Sequence, residues 1–140
     1  MYLEDAVRII QKHWLSGVAA AVPGLATVFD NEAAPGASTY ARLAITSMPT
    51  SQQTMGGVGN RRVQRNGMIQ VKLNGPPDEG RKGVDAYVRH VNAILEMVSL
   101  PASVPDDGVW TDEASPRELG SDGQYWTLML LIPFRFWEMK

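Results

Sequence analysis

The chain has 140 residues, no cysteine, 44% hydrophobic residues and a formal net charge of −2. One domain of this length can bury a sizeable core without staples, and the lack of Cys excludes a disulfide scaffold, a thiolate zinc site and a Cys nucleophile. The small net charge hides an asymmetry, with a net +4 over residues 61–90 and a net −6 over residues 96–122.

Leu3, Val7, Ile10, Trp14 and Val18 recur at helical spacing and predict a first helix over residues 3–15. Glu4 and Asp5 fall in its first turn, where the helix dipole favours acids. Gly17, then Pro23 and Gly24, end this helix or its continuation. Ile9 is expected opposite the apolar stripe, either singly exposed or touching a neighbouring subunit. Leu25–Phe29 is a short strand candidate. Tyr40–Met48 alternates, with Leu43 and Ile45 against Arg42, Ala44 and Thr46. Pro49–Asn60, with Gly56, Gly57 and Gly59, reads as a polar, flexible tip. Arg61–Leu73 resumes as a strand, with Val63, Ile69, Val71 and Leu73 on one parity and Gln64, Gln70 and Lys72 on the other. Gly67 in its middle predicts a bulge or bend.

Asn74–Gly83 is a turn-rich connector. A second helix is predicted over residues 84–98, with Val84, Tyr87, Val88, Val91, Ile94, Leu95 and Val98 in one stripe. Pro101 and Pro105 end it. Within the acidic segment 106–122, Val109–Trp110 predicts a short strand and Pro116 and Gly120 a loop. Gln124–Phe136 is the strongest strand candidate: Trp126, Leu128, Leu130, Ile132, Phe134 and Phe136 share one parity and form a continuous core face. Pro133 argues for an edge or end position there. The order predicts one α+β domain over residues 1–140: an antiparallel or mixed sheet, two main helices on one face, and a long β-hairpin. The opening residues lack the basic region of a signal peptide. Leu128–Phe134, the longest apolar stretch, is far too short to span a bilayer, so a membrane role is not expected.

Chemistry-bearing patterns are sparse. His13 and His90 have no partners at metal spacing and read as structural or surface residues. Gly56-Gly57-Val58-Gly59 lacks the Lys-Ser/Thr of a phosphate loop and lies between strands. Asp106–Asp107 and Asp112–Glu113 are sequence neighbours that point different ways, with no apolar pocket to raise a pKa. There is no Gly-x-Ser-x-Gly elbow. No catalytic residue, cofactor or metal is expected, and the chain reads as a structural part and not an enzyme. Arg61, Arg62 and Arg65 suit fork-like pairing with carboxylates or phosphates, and contact with acidic groups on another protein chain is the favoured reading. Their acidic counterparts on a second chain would be Asp106, Asp107, Asp112 and Glu113, since complementary potentials fix register; solvated loops of opposite sign are the simpler reading. Trp137, with Met139, is a further contact candidate or packs on its own sheet. A pI near 5.6 argues against a nucleic-acid-binding module.

Several short motifs occur in a familiar order. A helix precedes Val28-Phe29-Asp30-Asn31, a Pro-Gly loop and Tyr40-Ala41-Arg42-Leu43. A glycine-rich hairpin, Arg65-Asn66-Gly67-Met68-Ile69-Gln70-Val71 and a Pro/Gly turn into an amphipathic helix follow. The chain closes on Ile132-Pro133-Phe134-Arg135. This order resembles the tail terminator (tail completion) proteins of long-tailed bacteriophages, in the group similar to the lambda minor tail protein U. The resemblance covers nearly the whole chain. It implies an α+β subunit of a hexameric ring, located in the virion at the head-proximal end of the tail. Such a ring caps the tail tube, stops its polymerisation and offers a docking surface to a head-tail connector or stopper protein, while DNA passes through without specific binding. It carries over no catalytic residue. Asn31, Tyr40, Arg42, Gly67 and Arg135 match recurring positions that hold the fold or the ring. The apolar segment 16–24 departs from the pattern. A head-tail connector or stopper protein is the nearest alternative reading.

Overall fold

Helix α1 (Leu3–Ala21) buries Ala6, Ile10, Trp14 and Val18 and keeps Glu4 and Asp5 in its first turn. The computed structural model describes residues 3–29, 39–52, 62–76, 81–100, 108–121 and 125–139. The helix runs six residues past the expected end at residue 15, straight through Gly17. Glycine inside a helix costs about 1 kcal/mol relative to alanine. Here it permits close approach of the second helix, because a Cβ on Gly17 would lie 2.8 Å from Ile94 Cγ2. The helix stops where Pro23 has no N–H to continue it, and Leu25 N then donates to the Val22 carbonyl at 3.0 Å. Ile9, expected on the outer side, is partly buried against the core. It lies on the same helix flank as His13 and Gly17, which face Ile94, so α1 is bounded by two surfaces and not one.

The strands are β1 (Ala26–Phe29), β2 (Tyr40–Gln52), β3 (Arg62–Gly75), β4 (Ser99–Leu100), β5 (Val109–Thr111), β6 (Ser115–Ser121) and β7 (Trp126–Met139), with helix α2 (Lys82–Leu95) between β3 and β4. They form one seven-stranded sheet in the order β1-β2-β3-β7-β5-β4, with β6 also on β7. β1 runs parallel to β2 and every other pair is antiparallel. The sheet is therefore mixed and the fold α+β. The alternation read in the sequence sets its faces: Ala41–Leu73–Leu128 and Leu43–Val71–Leu130 are cross-strand rows and lie in one buried cluster with Trp14, Val84, Val91 and Leu95 from the helices. Both helices cover this face.

Five other expectations are corrected. Gly67 is not a bulge, for β3 pairs without a break on both sides of it; the irregularity sits on β2, between Met48 and Ser51, around Pro49. Residues 49–52 accordingly belong to β2, and the remainder of the expected tip, residues 53–60, lies outside the described residues. α2 ends at Leu95 and not at residue 98, with Glu96 extended and Met97 at φ 53°. Pro101 and Pro105, expected to end it, lie outside the described residues. The end is captured by the neighbouring strand: Thr111 Oγ1 donates to the Leu95 carbonyl, Val98 N donates back to Thr111 Oγ1 at 2.9 Å, and Ala114 N donates to the Glu96 carboxylate at 2.7 Å.

The expected loop at Pro116–Gly120 is strand β6, which continues the line of β5 along β7 after a break at Asp112–Ala114. This break explains Pro133, which lies in mid-strand and not at an edge or end. The Pro133 carbonyl accepts from Asp112 N at 2.9 Å, so its ring nitrogen faces the gap between β5 and β6, where no ladder donor is needed.

Candidate interaction surface

The sheet face opposite the helices carries the other parity of each strand. Its rows include Arg42–Lys72–Met129–Arg117, Ala44–Gln70–Leu131–Ser115 and Thr46–Met68–Pro133. Met68, Met129, Leu131 and Pro133 are half-buried, and Arg117 and Arg135 are exposed. Trp137 lies on this face opposite Gln64 and is half-buried, so the sheet itself covers part of it. Arg135 Nη1 lies 3.7 Å from Asp112 Oδ1, both about half exposed, so the contact is weak.

The candidate charges divide. Arg65 is on the helix-side parity and is already paired within its own chain: its Nε donates to Glu138 Oε2 at 2.7 Å, with the side chains 25% and 11% exposed. Arg81, at the start of α2, contacts both Asp85 (2.9 Å) and Glu118. These two carboxylates raise the Arg81 guanidinium above its ordinary value, Asp85 contributing most. The +4 and −6 blocks thus meet in part inside one molecule. Glu113 is exposed. Asn31, Arg61, Asp106 and Asp107 lie outside the described residues, and only the backbone of Arg62 is placed, at the start of β3.

The remaining motif residues take fold-holding positions. Tyr40 is buried and meets Tyr125 edge to face at 5.1 Å between ring centroids. Arg42 Nη1 donates to the Phe29 carbonyl at 3.1 Å and ties the β1 end to β2. The ring of Phe134 fills the space over Gly67. His13 Nε2 donates to the Ile94 carbonyl at 2.7 Å and joins the two helices. Among the described residues no group of three or more His, Asp or Glu is placed to hold a metal ion, and no described helix is long and apolar enough to cross a membrane.

Tyr40, Arg42, Lys72, Asn74, Thr127 and the Leu119–Ser121 stretch line a cleft of about 320 Å³ on the outer face. The alternation in the sequence places Lys72 on the polar parity and does not single it out. Glu138 and Thr111 were also missed. The signal for Glu138 was its parity: it continues the core series of Phe134 and Phe136, where a carboxylate needs a partner.

No protein-family model and no curated protein matches the chain. A solved structure, whose name describes no activity, is 17% identical and superposes with a TM-score of 0.68 over 97% of this chain and 96% of its own. It shares the fold.

Proposed function

We propose that the chain is a structural subunit of a bacteriophage tail: a tail terminator that forms a ring on the head-proximal end of the tail tube. The motif order over nearly the whole sequence leads to this reading. The observation that carries it is the outer sheet face, which has apolar and cationic side chains and, among the described residues, no helix upon it. The two lateral edges of the sheet, β1 and the β4–β5–β6 side, also differ from one another. Unlike edges suit head-to-tail contacts, which close into a ring when the rotation between copies closes. In this reading the partners are copies of the chain, the tail tube protein and a head-tail connector or stopper protein. DNA crosses the ring without being read, and no reaction is catalysed.

Electron microscopy of the purified chain, alone and with its tail tubes, tests the proposal. Hexameric rings seated on tube ends, and tubes of uncontrolled length when the chain is left out, are the expected result. A chain that stays monomeric and never decorates a tube overturns it. Rings that bind the head-side connector and not the tube would point to a stopper. Charge reversal of Arg61 and Arg62 to Glu should weaken assembly in native mass spectrometry. Arg65 is left unchanged in this variant because its pairing with Glu138 would confound folding with assembly.

A further inference from the structure

Met97 stands just past α2 in a way that the fold does not explain. It follows the C-cap Glu96 and holds φ 53°, the left-handed conformation that favours glycine at the residue after a helix cap. Its side chain is 70% exposed, more than any other large apolar side chain among the described residues. A single exposed apolar residue is ordinary, but this one takes a strained backbone and gains no burial from it. The knuckle around it is held in place. Met97 N donates to the Asp112 carbonyl at 3.3 Å, Ala114 N donates to the Glu96 carboxylate at 2.7 Å, and Val98 N donates to Thr111 Oγ1 at 2.9 Å. The same bonds set acids beside the methionine. Asp112 and Glu113 are exposed, and among the described residues Glu113 makes no ion pair. The outer sheet face carries the opposite arrangement. Met129 is half-buried between Lys72 on β3 and Arg117 on β6, all in one cross-strand row. Among the described residues neither cation makes an ion pair.

We propose that the Met97 knuckle of one copy docks on the Met129 row of the outer face of a second copy. Two apolar centres meet, one rimmed by Asp112 and Glu113, the other by Lys72 and Arg117. Opposite potentials of this kind fix register and select the partner. Methionine suits the contact because its unbranched thioether fits an irregular surface, and Met and Arg are enriched at interfaces. The knuckle lies on the β4–β5–β6 side of the sheet and its receptor on the sheet face. The contact is therefore head-to-tail, and every pair keeps one knuckle and one face for further copies, as a closed ring requires. The inference rests on the ring reading and names the contact between its subunits.

Sedimentation velocity of the full chain, with and without tail tubes, tests the contact. Met97→Gly should keep a Tm at or above that of the parent, because glycine adopts the left-handed backbone freely. It should weaken self-association by about tenfold or more, the scale of one buried anchor. Arg117→Glu should weaken it as well, and adding Glu113→Arg to the same chain should restore much of the loss. Lys12→Glu, on the exposed side of α1, should change it by less than about twofold. A mixture of Met97→Gly and Arg117→Glu chains retains one sound face and one sound knuckle, so it should give dimers and no rings. Unchanged association in Met97→Gly, equal losses in Arg117→Glu and Lys12→Glu, or no recovery with Glu113→Arg overturns the proposal; rings of the parent on tube ends would then leave the tail-terminator reading standing. Knuckle-dependent association that never decorates a tube supports the contact and overturns the tail-terminator reading. A parent chain that stays monomeric throughout overturns both.

Discussion

Gly67 shows how much one missing methyl group can decide. A Cβ there would lie 2.3 Å from Phe134 Cζ and 2.7 Å from the Thr46 carbonyl oxygen. The ring could turn, but the backbone oxygen belongs to a paired strand and cannot. Gly67→Ala should destabilise by about 1–3 kcal/mol, the range for overpacking a filled site. The urea midpoint should fall with an unchanged m-value. Adding Phe134→Leu should recover part of the loss. A strand glycine signals either a bulge or a close approach, and the sequence could not choose between them, because the deciding ring lies on another strand. The Arg65–Glu138 pair is half-buried with good geometry, 2.7 Å from Nε to Oε2. Glu138→Gln should cost about 1–2 kcal/mol, because a largely desolvated guanidinium loses its counter-charge. A double-mutant cycle with Arg65→Met should show a coupling of at least about 0.5 kcal/mol.

Among the elements, the end of α2 depends most on a distant partner. Thr111 is 6% exposed, and its single hydroxyl serves both the Leu95 carbonyl and the Val98 amide. Thr111→Val keeps the shape and leaves both backbone groups buried without that partner. The expected loss is about 1–3 kcal/mol, with faster hydrogen exchange at Val98 as the local sign. The apolar stripe continues to Val98, so periodicity alone extends the helix too far. The core parity of β7 was legible along its length because five apolar side chains, Leu128, Leu130, Ile132, Phe134 and Phe136, stand at alternate positions and each needs burial. β6 was not legible. Its residues are nearly all exposed and polar, and it is a strand because the edge of β7 offers it a ladder.

At the scale of the molecule, opposite charge blocks carry less information about partners than their sums suggest. Arg81 with Glu118 already joins the two blocks internally, and Arg135, which lies outside both, contacts Asp112 of the acidic one. In the proposed ring, contacts between copies would then draw on the charges left over and on the outer sheet face. If Arg61 and Arg62 steer assembly, sedimentation velocity should show rings weakening as salt rises from about 0.1 M to 1 M, where the Debye length falls from about 10 Å to 3 Å. Rings indifferent to salt would place the contact on the apolar part of that face, at Met68, Met129 and Leu131.

Much of the fold follows from the sequence read by itself. Period-3.6 stripes and period-2 alternation each state which side chains must leave water, and that requirement is local, so the two helices, the core parity of β2, β3 and β7 and the α+β class could be read directly. Tertiary structure settled what depends on a second segment: the passage of α1 through Gly17, the early stop of α2, the tolerance of Pro133 in mid-strand and the internal partner of Arg65. The net charge of −2 and the absence of cysteine narrow the chemistry but do not place a single ion pair. Pairing needs two charges within a few ångströms, and chain separation gives no measure of that distance.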